Sequence, residues 1–152
     1  MPENKRRILV AQHRDTLFRG YFKIIKNFLH LLRHCRGGGD ILTDEDIEPF
    51  DLESTVAYRM RRNDISFITK DNRLIILIEH QTSINPNMAL RLFFYYTELM
   101  QLWIKMNNIN LYSKTKINEL PVPEFYVVYN GTDPLKEKVS TFHMEHNNMK
   151  VT

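Results

Sequence analysis

Asn63-Asp64-Ile65-Ser66-Phe67-Ile68-Thr69-Lys70-Asp71-Asn72-Arg73-Leu74-Ile75-Ile76-Leu77-Ile78-Glu79-His80-Gln81 reads as two strands joined by a tight turn. Ile65 to Thr69 alternates apolar and polar residues, whereas Leu74 to Ile78 is continuously apolar, as in a strand covered on both faces. Lys70-Asp71-Asn72 supplies the turn, because Asp and Asn tolerate the backbone angles a short hairpin needs. Asp64 opens the first strand and Glu79 closes the second. An antiparallel hairpin brings the start of one strand beside the end of the next, so the two carboxylates are expected to converge at the edge of a very apolar sheet. Acids held that close repel, and a divalent cation is the usual remedy. The plain alternative is a hairpin whose two acids keep its ends soluble.

The rest of the chain bounds the reading. Its 152 residues suit one domain with a single core, and 43% hydrophobic with 26% charged residues is ordinary globular composition. A net charge of +3 and a pI near 9.0 are compatible with nucleic acid without arguing for it alone. The single cysteine, Cys35, excludes an internal disulfide and points to a reducing, cytoplasmic setting. No apolar run approaches the roughly 20 residues that span a bilayer, and Met1 to Arg7 is polar and basic with no apolar stretch behind it, so neither a membrane span nor a secretory signal is expected.

Upstream of the hairpin, residues 1–13 read as a flexible lead-in. Leu17, Phe18, Tyr21, Phe22, Ile25, Phe28, Leu29 and Leu32 then recur at helical spacing, with Asp15 or Thr16 as a cap and Gly37-Gly38-Gly39 as a stop. Arg14, Arg19, Lys23, Lys26 and Arg33 lie mostly off that stripe, on a face that is either solvated or in contact with phosphate. The stretch 40–53 is acidic. Thr43 with Asp46 resembles a capping box for a short helix, and Glu53 is the choice for an upstream acid that joins Asp64 and Glu79. Thr55 to Met60 is expected as the first strand, running into Arg59, Arg61 and Arg62.

Downstream, Met88 to Met106 reads as a long helix apolar on nearly every side, with Met88, Leu92, Tyr95, Leu99, Leu102 and Met106 along one face. Arg91 is the odd charge in it. It either snorkels to the surface or points back toward the acids or a phosphate. Leu120-Pro121-Val122-Pro123 leads into a strand at Phe125 to Tyr129, stopped by Asn130-Gly131. Residues 132–152 are weakly patterned. His143 and His146 stand three apart there without partner ligands, which is a poor metal site.

The hairpin acids suit a metal-dependent nuclease centre. Asp64 and Glu79 would bind Mg²⁺ through oxygen, with the backbone carbonyl of His80 as a further ligand; Mn²⁺ and Ca²⁺ suit the same donors. Gln81, two residues past Glu79, falls on the same strand face, where its amide can hold an attacking water. His80 faces the other way.

Four blocks carry a resemblance: Asn63-Asp64-Ile65-Ser66-Phe67; Leu77-Ile78-Glu79-His80-Gln81-Thr82-Ser83; Asn85-Pro86-Asn87-Met88-Ala89-Leu90-Arg91; and Leu120-Pro121-Val122-Pro123-Glu124-Phe125-Tyr126-Val127-Val128-Tyr129-Asn130-Gly131. In that order, over residues 14–131, the chain resembles the Rpn family of recombination-promoting nucleases, also described as PD-(D/E)XK nuclease-fold transposases. The resemblance implies an α/β restriction-endonuclease-like core, a mixed central sheet flanked by helices. It also implies divalent-metal-dependent cleavage of DNA linked to recombination or mobile elements. Asp64 and Glu79 match the family's two strand acids. Gln81 stands where the wider superfamily has lysine, so a hydrogen bond replaces a positive charge. Arg61, Arg62 and Arg91 are the candidate DNA contacts. Family members carry more sheet and helix past the Tyr-Asn-Gly strand, so the alternative expectation is a truncated, inactive remnant that binds DNA or forms a homodimer through the uncovered long helix.

Overall fold

A computed structural model of the chain describes residues 16–39, 42–50, 65–117 and 119–135. Residues 16–22 are helical (α1). There follow α2 (Ile25–Cys35), β1 (Ile47–Pro49), β2 (Ile65–Thr69), β3 (Leu74–Gln81), α3 (Met88–Met106) and β4 (Val122–Tyr129). Among the described residues the strands form one mixed, four-stranded sheet in the order β1-β2-β3-β4. β1 and β2 are antiparallel, β2 and β3 are antiparallel, and β3 and β4 are parallel. A parallel pair needs a long crossover between its strands, and α3 is that crossover.

The expected hairpin is the centre of the sheet. Ile65 pairs with Ile78 and Ile68 with Ile75, and the intervening turn is held by side chains. Thr69 Oγ1 donates to Asp71 Oδ1 at 2.6 Å, and the same carboxylate oxygen accepts the Arg73 N–H at 3.0 Å. These two bonds hold the Asp71 carboxyl below its ordinary value. Asn72 takes the left-handed conformation, φ 58°, that its short amide tolerates.

Strand alternation sends the apolar residues of β2 and β3 to two separate layers. Ile65, Phe67, Ile76 and Ile78 pack with Phe28, Leu29 and Leu32 of α2, and the Phe28 ring stacks on Phe67 with centroids 4.0 Å apart. Ile68, Ile75 and Leu77 face the other way, onto Met88, Leu92, Tyr95, Leu99 and Trp103 of α3. The two layers explain why Leu74 to Ile78 lacks alternation: helices cover both of its faces. Each fully buried Ile or Leu contributes about 2–3 kcal/mol of transfer free energy relative to exposure.

Three expectations change. The periodic stripe from Leu17 to Leu32 is one helix in pattern and two in space, since Ile24 is extended at φ −73°, ψ 119° and separates α1 from α2. Asn27 Nδ2 donates to the Tyr21 carbonyl across the break at 2.9 Å, which satisfies a C-terminal carbonyl of α1. Second, Thr43 and Asp46 do close on each other, with the Thr43 N–H and hydroxyl both donating to Asp46 Oδ2 at 2.8 and 2.7 Å. They close a turn that feeds β1 rather than a helix. Ile47 is buried against α2 and Pro49 lacks the N–H a helix would need, so a short edge strand is the better use of this segment. Third, α3 spans the expected residues, but Met100 and Trp103 are buried in place of Leu102 and Met106. The expected strand at Thr55 to Met60 lies outside the described residues.

The glycine stop holds in detail. The Gly38 N–H bonds the Arg33 carbonyl at 2.8 Å, the Gly37 N–H bonds the His34 carbonyl at 3.2 Å, and Gly37 sits at φ 73°. This is a Schellman cap, which needs a residue free to adopt positive φ. It leaves Arg36 aimed at β4, where its guanidinium pairs with Glu124. Among the described residues no helix is long and apolar enough to cross a membrane.

Candidate active site

β3 positions the candidate residues. Glu79 follows the alternation of Ile75 and Leu77, which puts it on the α3 side of the sheet, and it is buried at 2% exposure. A buried carboxylate is costly without a compensating charge. That charge comes from α3: Arg91 Nη2 lies 3.6 Å from Glu79 Oε2. Arg91 thus reaches back toward Glu79 while its side chain remains 43% exposed, so it combines features of both expectations. The same Nη2 donates to Tyr95 Oη at 3.1 Å, and the guanidinium carbon lies 5.8 Å from the Tyr95 ring centroid. Tyr95 is the residue that the site reading missed. Its place on the apolar stripe hid a second role, which the four-residue spacing from Arg91 makes available on a helix.

Gln81 lies two residues beyond Glu79 and pairs with Tyr129 of β4. Its carbonyl accepts the Asn130 N–H at 3.0 Å, which extends the parallel ladder past the end of β4. Gly131 follows at a point where a Cβ would collide with the Tyr129 hydroxyl and the Thr82 carbonyl. A glycine is therefore required for the two strand ends to close beside Gln81. The reading of Asn130-Gly131 as a stop signal did not anticipate this close approach.

His80 follows the alternation of Ile76 and Ile78 to the opposite face. Its ring stacks on Phe18 of α1, with centroids 4.7 Å apart and planes 18° apart. The side chain is thus separated from Glu79 and Gln81 by the thickness of the sheet, and only its backbone remains a candidate ligand.

The site has a consistent location. It sits at the carboxyl ends of the parallel pair β3 and β4, beside the first turn of α3. Open α/β sheets place ligands at the carboxyl ends of their strands, and a helix N-terminus adds positive potential there. Asp64, Glu53, Arg61 and Arg62 lie outside the described residues. Among the described residues, no three His, Cys, Asp or Glu side chains group as a metal site. No protein-family model, curated protein or solved structure matches the chain.

Proposed function

We propose that the chain is a divalent-metal-dependent DNA endonuclease with a restriction-endonuclease-like core, linked to recombination or mobile elements. The observation that carries this reading is a buried carboxylate at the end of a central strand, one step beyond a paired residue whose partner directly follows a second acid. Glu79 succeeds Ile78, Ile78 pairs with Ile65, and Asp64 precedes Ile65 in the chain.

The donors fit a hard cation. Mg²⁺ takes oxygen ligands, needs one or two carboxylates and keeps several waters, so Glu79, Asp64 and the His80 carbonyl suffice, with Glu53 as a further acid. Mn²⁺ and Ca²⁺ accept the same oxygens. When bound, such an ion withdraws charge from the scissile phosphate and acidifies a nearby water. Gln81, on the Glu79 side of the strand, orients the water that attacks phosphorus. One P–O bond forms, the opposite P–O bond breaks, and the leaving oxygen takes a proton. Arg61, Arg62 and Arg91 hold the DNA backbone.

A second reading has its own support. Phe93, Phe94 and Met106 expose 42%, 41% and 63% of their surface on α3, and Gln81 lacks the charge of a lysine. An inactive protein that binds DNA and pairs through α3 would show both features.

Nicking of supercoiled plasmid separates the two. Wild type, Asp64→Ala and Glu79→Ala are assayed with Mg²⁺, Mn²⁺, Ca²⁺ or EDTA. Metal-dependent nicking that both substitutions abolish is the expected result. Nicking that survives Asp64→Ala sinks the site, and a folded, DNA-binding wild type that never nicks favours the second reading.

A further inference from the structure

Arg91 links the buried acid of the site to its surface. Its guanidinium lies beside the buried Glu79, the carboxylate that the proposed cation would also use. At 3.6 Å the Nη2–Oε2 separation lies outside hydrogen-bond range, while the same nitrogen is held by Tyr95 Oη at 3.1 Å. The side chain is 43% exposed, against 3% for that of Glu79. One end of the pair is therefore fixed in the core, and the other reaches solvent from an anchor on α3. Two cations beside one carboxylate repel each other, and a guanidinium matches a phosphate as well as it matches a carboxylate.

We propose that Arg91 is an internal counter-ion of Glu79, which a divalent cation displaces and a DNA phosphate takes up. Metal and DNA then help each other bind. The cation releases Arg91 toward the phosphate, and the phosphate draws Arg91 away from Glu79. Linkage makes the two effects equal. Tyr95 keeps the guanidinium near both positions. This inference rests on the nuclease reading, and it assigns Arg91 a positioning role in addition to phosphate contact.

Two binding measurements on the full chain test it without turnover. The first is Mn²⁺ affinity by calorimetry in the absence of DNA. Arg91→Gln is expected to bind Mn²⁺ about tenfold more tightly than wild type, within the usual range of coupling between sites. Arg91→Lys, which keeps the charge, stays near wild type. Arg91→Gln affinity that is unchanged or weaker overturns the proposal. The second is the affinity of a short labelled duplex in EDTA, which needs no substitution at Arg91 and so covers a variant that fails to fold. Glu79→Gln releases Arg91, so binding tightens and the salt dependence steepens by about 0.9, the slope of one added phosphate contact. An unchanged slope in Glu79→Gln overturns the proposal while leaving the nuclease reading intact. A wild type that binds neither Mn²⁺ nor DNA overturns both.

Discussion

Trp103 donates its indole N–H to Oδ1 of Asn72 at 2.9 Å, which ties the last turn of α3 to the hairpin turn at the far end of the sheet from Glu79. The crossover helix is thereby pinned at both ends, by Arg91 at the site and by Trp103 at the turn.

Trp103→Phe keeps an aromatic ring but loses the bond and part of the buried indole volume, at a combined cost of about 2–3 kcal/mol. The melting temperature is expected to fall by about 4–12 °C. Asn72→Gly loses the same acceptor but keeps positive φ free of strain, whereas Asn72→Ala adds left-handed strain of about 1 kcal/mol. Thermal unfolding should therefore rank Asn72→Ala below Asn72→Gly. Equal stability of the two would show that the turn does not depend on its φ.

The Arg36–Glu124–Tyr126 cluster predicts stability limits at both extremes of pH. Burial opposes ionisation of Glu124, but hydrogen bonds from Arg36 and Tyr126 outweigh it and hold the carboxyl below its ordinary value. Its contribution is present above the ordinary carboxylate range and is lost as pH falls through the depressed value. Burial, with the bond to Glu124, pushes Tyr126 from 10.0 up to about 12. That raised value stabilises the fold below pH 10 and the effect is lost as pH climbs toward 12. Melting temperatures of wild type and Tyr126→Phe should converge across that alkaline window. Those of wild type and Glu124→Gln should converge in acid. A constant gap across pH would remove the cluster from the account.

Gly131→Ala forces a Cβ into the Tyr129 ring and the Thr82 carbonyl, so one strand end must shift. The expected cost is about 1–3 kcal/mol, typical of overpacking. Because Gln81 borders this closure, nicking should weaken together with stability. A variant as stable as wild type would mean that the 82–131 approach relaxes freely.

Gln81→Ala removes the proposed hydrogen bond to the attacking water while leaving both acids in place. Loss of one well-placed donor costs about 10²-fold in turnover. A wild-type rate in this variant would exclude Gln81 from the chemistry. Gln81→Lys places a positive charge at that position and should retain activity if that side of Glu79 faces substrate.

The hairpin, the span of α3 and the Phe125–Tyr129 part of the last strand were legible because each rests on local signals: period, turn residues and punctuation; β4 in fact begins earlier, at Val122, within the stretch read as a lead-in. The opposite orientations of Glu79 and His80 followed from alternation alone. The break at Ile24 was not legible, because an apolar stripe keeps its spacing across an extended residue when both halves pack on one surface. β1 was hidden inside an acidic stretch, since Ile47 has too few apolar neighbours in sequence to announce a strand and finds its partners only in β2 and α2. The Arg36–Glu124 pair joins segments far apart in sequence, and only the pairing of β3 with β4 and the packing of α2 bring it together. The Arg91–Glu79 pair spans neighbouring elements and was within reach of the sequence as one of two alternatives.

Leu74 to Ile78 has a further consequence. A short, uncharged run of Leu and Ile without proline is the composition of dry β-zippers, and freed from its neighbours it would stack with its own kind. In the native sheet it is an interior strand, paired on both sides and roofed on both faces. Among the described residues the β1 side of the sheet ends in a three-residue strand that carries Pro49, and such an edge recruits strands poorly. Protection from self-association thus depends on the cooperativity of the whole sheet: the segment becomes hazardous only when the domain opens as a unit.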